Sequence, residues 1–148
     1  MAPTIHASAV LVGPRAILIR GPAGAGKSHL VLQMLVAEKT GLFGFARLVA
    51  DDRVELTPAH GRLVARPVRE LAGLLEIRGL GIQRLAYEPM AVVGLVCDLS
   101  DPHAQRMPDA PDTTAMVDGI TLPRLSLPAG VDPLPIVAAI LAKWPHSV

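Results

Sequence analysis

Residues 21–28 read Gly21-Pro22-Ala23-Gly24-Ala25-Gly26-Lys27-Ser28, and no other segment constrains the chain as tightly. The pattern satisfies G-x-x-x-x-G-K-[ST]. Glycines at 21, 24 and 26 let the backbone turn sharply and approach oxygen atoms closely. Successive N–H groups can then face inward as an anion nest, and a following helix adds the positive end of its dipole. A lysine at 27 supplies charge for terminal phosphates, and a hydroxyl at 28 suits a magnesium ligand. The flanks agree with this reading. Ala16–Arg20 is a short apolar strand candidate, and Ser28–Lys39 has helical composition with apolar residues on more than one face. The expectation is an α/β fold in which a nucleotide's phosphates rest on residues 21–28.

Composition says what core can surround such a loop. Hydrophobic residues make up 51% of the 148, yet aromatics only 3%, so Val, Leu, Ile and Ala must fill the interior. That suits a parallel or mixed β-sheet flanked by helices, and the length predicts one domain, residues 1–148. A net charge of +1 gives no basic face for nucleic acid. The single cysteine, Cys97, cannot form an internal disulfide and reads as a small buried core residue. No apolar run approaches the roughly 20 residues of a membrane span, and the amino terminus lacks a signal pattern. A soluble, cytoplasmic protein is expected.

Strands are expected at Ile5–Val12, Ala16–Arg20, Arg47–Ala50, Ala91–Leu99 and Ile120–Leu127. A hairpin is expected from Val54–Thr57 and Arg62–Ala65 around a turn at Pro58–Gly61, with His60 solvated. Pro67–Leu75 reads as a short helix followed by an extended turn. Glu76–Ile82, with Gly79 and Gly81, reads as irregular. Ser100–Thr114, rich in Asp, Pro, Ser and Thr, reads as a mobile loop. A terminal helix should run from Pro133 to Trp144, capped by Asp132.

A phosphate loop that does chemistry needs a carboxylate near it. Leu48-Val49-Ala50-Asp51-Asp52 is an apolar strand ending in two. One can serve a metal or its water shell, and the other can take a proton from a hydroxyl nucleophile. Glu76 reads equally as a functional carboxylate or as an ion-pair partner of Arg78. His6, alone in a first strand, reads as a structural histidine.

Taken in order, the phosphate loop, RLVADDRVEL at 47–56 and LEIRGLGI at 75–82 resemble the catalytic domain of the bifunctional HPr kinase/phosphorylase family. The resemblance runs from about His6 to the terminal helix, and LEIRGLGI is its most specific part. It implies a PEP carboxykinase-like nucleotide-binding core, ATP and Mg²⁺ as cofactors, an HPr-like phosphocarrier as partner, and a homo-hexamer. It also implies roles for particular residues. His6 falls where the family has an active-site histidine. Lys27 matches the loop lysine and Ser28 the magnesium hydroxyl. Asp52 matches the residue that accepts the substrate serine's proton, with Asp51 as a support or metal-shell residue. Glu76 matches a metal-associated glutamate, and Arg106 the arginine of a mobile loop. There are departures. His29 stands where the family more often has an acid. Leu127–Pro133 lacks the arginines of the segment associated with dephosphorylation, so the resemblance carries the kinase parts and leaves phosphorylase activity unsupported. The residues alone leave two other classes open: a small-molecule kinase or nucleotide hydrolase, and a nucleotide-sensing module without turnover.

Overall fold

A computed structural model describes residues 3–41 and 44–143. The elements run β1 (Thr4–Ile5), β2 (Ser8–Val12), β3 (Arg15–Arg20), α1 (Lys27–Lys39), β4 (Ala46–Ala50), β5 (Val54–Ala59), β6 (Arg62–Pro67), β7 (Leu74–Ile77), β8 (Gly81–Arg84), β9 (Ala91–Asp98), β10 (Thr114–Val117), β11 (Ile120–Ser126) and α2 (Pro133–Leu141). Short 3₁₀ turns occupy Arg69–Leu71 and Ala110–Thr113.

Nine strands form one mixed sheet: seven follow the path β1-β5-β6-β9-β3-β2-β4, β11 joins it on β9 and β10 on β11, while β7 and β8 pair separately. β3 lies parallel to β9, and β2 runs antiparallel to both β3 and β4. The carboxyl ends of β9, β3 and β4 and the amino end of β2 therefore meet at one edge. That is where open α/β sheets place their ligands. The other edge of β9 is shared: β6 pairs with Ala91–Val92 and β11 with Val96–Asp98.

The two faces of the sheet are covered differently. One packs Val10, Ile17, Ile19, Leu48, Leu95 and Cys97 against Leu30, Val31, Met34 and Ala37 of α1 and Val137 of α2. The other joins Leu18, Val49 and Val96 to Val54, Leu56, Leu63 and Leu122, all from strands or their edges. The expected mixed sheet is present, but both helices lie on one face, and the curled sheet closes over the other itself. Almost every large side chain here is Val, Leu, Ile or Met, so full burial of each stabilises by about 1.5–3 kcal/mol.

Several local expectations need correction. The first strand breaks at His6–Ala7, because Thr4–Ile5 pair with β5 while Ser8–Val12 pair with β3 and β4. The 58–61 turn shrinks to His60–Gly61, both at positive φ (53° and 76°), so β5 and β6 each run longer and Pro58 sits opposite Leu63. Residues 74–84 form a β7–β8 hairpin rather than an irregular stretch. Gly79 (φ 87°) serves its turn, and Leu74–Ile77 pair with Gly81–Arg84. β10, where only loop was expected up to Thr114, pairs with β11. The terminal helix begins at Pro133 as expected, with the Leu134 N–H donating to Asp132 at 3.2 Å. It ends at Leu141, and Trp144 lies outside the described residues.

Candidate active site

β3 runs into Gly21, whose backbone is at φ 154°. A Cβ there would stand 2.9 Å from the Leu99 carbonyl oxygen, so the loop leaves the sheet through a gap only glycine fits. Gly26 caps α1 at φ 97°, with no side chain on the first N–H groups and no acid in the first turn. A Cβ added at Gly24 or Gly26 would meet nothing within 4 Å. The loop is thus tight against the protein at its base and open at its rim. Lys27 is buried and folds back over the loop, donating from Nζ to the carbonyls of Gly21 (2.8 Å) and Pro22 (3.1 Å).

Asp51, at the end of β4, is buried beside this loop. It accepts from Ser28 Oγ at 2.7 and 2.9 Å and from Ser8 Oγ at 2.7 Å. Ser8 is fully buried, and its oxygen also accepts the Asp52 backbone N–H at 3.4 Å. A single hydroxyl thus fixes both members of the acidic pair. Asp52 itself is exposed, at φ 70°, a left-handed conformation that costs a non-glycine residue about 1–2 kcal/mol. Its carboxylate meets His6, whose Nε2 lies 3.0 Å from Oδ1. The pair is ionic only when the imidazole is protonated.

Ser28, Asp51, Asp52 and Glu76 line one cavity of about 210 Å³, completed by Leu71, Leu74 and Ile82. Glu76 reaches it from β7, and the segment just after the β7–β8 hairpin is tied to β4 by the Leu48–Tyr87 bridge and the Glu88 N–H to Leu48 O bond (2.8 Å). Among the described residues Glu76 makes no ion pair with Arg78. Arg106 is exposed in the loop after β9 and is not among the residues lining this cavity. A larger cavity of about 330 Å³ opens where β6 and β11 part along β9, lined by Arg15, Arg62 and Gly94 among others. Arg15 begins β3 whereas the phosphate loop follows its end, so roughly 20 Å of strand separates the two cavities. The smaller one holds the acids.

Spacing along the chain did not reveal Ser8, which reads as a weak point in its strand. A polar residue inside S-A-V-L-V, two beyond a histidine, was the available signal. A second cluster also escaped it. Asp98, at the end of β9, accepts from Arg20 Nε and Nη2 at 2.7 and 2.8 Å and from Arg124 Nε at 2.6 Å. Burial works to raise its carboxyl, but the two guanidinium groups outweigh this and hold it below the usual carboxylate range. Cys97, just before it, is buried, and burial together with the Asp98 charge pushes its thiol up to about 12. It is an inert core residue, as its surroundings in the sequence imply.

A strand, a glycine loop, a helix and a hydroxyl-linked carboxylate on the nearby strand end define a P-loop α/β chain. The family model described as the HPr Serine kinase C-terminal domain matches residues 1–88. The HPr kinase/phosphorylase of Geobacillus thermodenitrificans is 36% identical over 142 residues, covering 86% of this chain and 43% of that protein. That of Limosilactobacillus reuteri is 31% identical over 137 residues, covering 84% of this chain and 40% of that protein. The solved Hpr(Ser) kinase/phosphatase from Coxiella burnetii superposes with a TM-score of 0.75 at 23% identity, covering 95% of this chain and 89% of that one, which establishes the shared fold. The chain belongs to the HPr serine kinase C-terminal domain family. It spans about two-fifths of the length of these two curated relatives.

Proposed function

We propose that this chain is an ATP-dependent protein-serine kinase whose substrate is an HPr-like phosphocarrier of the phosphotransferase system. The observation that carries the reading is the convergence of Ser28, Asp51, Asp52 and Glu76 on one cavity at the phosphate loop, with His6 on Asp52. The open rim at Gly24 and Gly26 fits phosphate oxygens approaching the backbone. The donor set also fits Mg²⁺. Among the described residues no group of three or more His, Cys, Asp and Glu forms a metal cage, and Mg²⁺ characteristically relies on one or two carboxylates, waters and substrate phosphates. Ser28 would hold the ion directly, with Asp51 and Glu76 on its shell. When bound, the ion neutralises charge on the phosphates.

The protein's own groups supply the rest. Lys27 turns from its loop carbonyls to the terminal phosphates. Asp52 accepts the proton of the substrate serine as the hydroxyl oxygen bonds to the γ-phosphorus. The bond between that phosphorus and the β–γ bridging oxygen breaks, leaving phosphoserine, ADP and a protonated Asp52. His6 orients Asp52. Arg106 closes over the transferring group when its loop moves, a contribution that reaches about 10³–10⁵ in rate in related chemistry. Asp51, buried and bonded to two hydroxyls, is held for the metal and leaves base work to Asp52. The family resemblance extends the proposal to a cytoplasmic homo-hexamer, for which sedimentation of a monomer alone would be the contrary result.

The test is phosphorylation of purified HPr-like carrier by wild type and Asp52→Asn. Loss of about 10²–10⁴-fold in kcat is expected for removal of a general base. Unchanged transfer by Asp52→Asn would remove it from the mechanism. ATP turnover on a metabolite with no carrier present would favour a small-molecule kinase instead.

A further inference from the structure

The Asp98 cluster has no part in the chemistry above, yet it ties together two pieces that do. Arg124, on β11, donates to Asp98 at 2.6 Å, to Asp101 Oδ2 at 2.7 Å and to the Asp112 carbonyl at 3.4 Å. Asp101 and Asp112 stand near the two ends of the loop that carries Arg106, so one guanidinium closes the loop's neck. Ser126 adds a 2.5 Å bond to the same Asp101 oxygen, and the Asp101 N–H donates to Leu127 O at 2.9 Å. On its other side Asp98 takes both bonds of Arg20, the residue immediately before Gly21. The Leu99 N–H also donates to Arg20 O at 2.8 Å. The neck of the loop and the root of the phosphate loop are therefore referenced to one carboxylate.

We propose that Arg124 is a positioning residue that seats the 99–113 loop, and with it Arg106, relative to the phosphate loop. A closed neck leaves the loop's body free to move while its pivots stay fixed. This is the arrangement a closing loop needs, because misplacement by about 1 Å at a reacting group can cost about 10² in rate. The inference rests on the kinase reading for its catalytic consequence, but the seating is a property of the fold.

Hydrogen exchange and steady-state kinetics on the whole chain, as wild type, Arg124→Gln, Arg124→Lys, Arg106→Ala and the Arg124→Gln/Arg106→Ala double variant, decide it. In Arg124→Gln, exchange of residues 102–111 is expected to rise about tenfold or more while α1 keeps its protection. kcat is expected to fall about 10²-fold with the KM for ATP within about twofold. Arg124→Lys, which keeps the charge but loses the fork, should recover only part of the rate. The double variant should be no slower than Arg106→Ala, since Arg124 acts through Arg106. Unchanged loop exchange overturns the proposal, as does a kcat loss that multiplies with that of Arg106→Ala. Should Arg124→Gln fail to fold, Asp101→Ala removes the neck contact, leaves Arg20, Asp98 and Arg124 joined, and is read the same way. If wild type phosphorylates no carrier, the kinase reading falls, and the exchange comparison still decides the seat.

Discussion

Two pairs of carboxylates stand at strand ends on either side of the phosphate loop, and the fold treats them in opposite ways. Asp98 and Asp101, after β9, are met by Arg20, Arg124 and Ser126, so every acid has a cation within 2.8 Å. Asp51 and Asp52, after β4, receive hydroxyls and a histidine but no arginine or lysine among the described residues. Both pairs follow strands of the same sheet, so the difference lies in what surrounds them. Carboxylates neutralised by fixed arginines hold segments together. Carboxylates left without a fixed cation keep their charge for something that arrives, and here the cavity beside them opens onto the phosphate loop.

The sharpest way to break this comparison is to neutralise one acid on each side. Asp52→Asn should cost the full base effect in rate with Tm within about 1–2 °C of wild type, because Asp52 is exposed and its replacement relieves no packing. Asp98→Asn should do the reverse. It leaves two guanidinium groups poorly satisfied, a loss of about 1–3 kcal/mol, and lowers Tm by about 2–10 °C. If thermal melts showed the larger loss in Asp52→Asn, the division of labour would be wrong.

A smaller effect is expected at Ser8. Ser8→Ala removes one of the hydroxyls on buried Asp51 and the acceptor for the Asp52 N–H. Asp51 keeps its bonds from Ser28, so stability should fall by about 0.5–1.5 kcal/mol. Because Asp52 loses its tether, kcat should fall more than the affinity for ATP. Equal loss in both would mean that Ser8 acts only through the fold.

The smallest effect is in pH dependence. The Asp98 carboxyl lies below its ordinary value for the reasons given above. Asp101 is also lowered, by bonds from Ser126 and the His103 N–H and, after these, from Arg124. Arg124 is raised in turn, chiefly by its bond to Asp98. As pH falls below about 4 the unfolded chain takes up protons before the folded one does. The stability from these acids is therefore complete above that pH and is lost as pH drops through their folded values. Asp98→Asn should flatten the slope of urea midpoint against pH in that acid window. A slope equal to wild type would show that the arginines do not depress Asp98.

Legibility followed distance along the chain. The β3–loop–α1 unit, the β4 strand with its acids and the Asp132 cap could be read directly, since each is one contiguous segment. The β7–β8 hairpin could not. Two glycines just after the charged pair Glu76 and Arg78 read as irregular until Gly79 is seen at a turn and Leu75 in the core. Glu76 was ambiguous for the same reason, because only its cavity separates a carboxylate facing Ser28 from one paired with Arg78. Arg20 and Asp98 are 78 residues apart, and nothing local marks either as the other's partner.

The amino-acid order alone determined where phosphates can be held, because a glycine-bearing turn between a strand and a helix is set by backbone dihedral preferences and short-range sterics. It also determined an aliphatic sheet core, since few aromatics were present to build another kind. Only the tertiary structure decided which acids stay without a fixed cation and which are neutralised. That choice depends on strand order, which brings Ser8 beside Asp51 and Arg124 beside Asp98. Strand order is fixed by packing across the whole sheet and by no single stretch of residues.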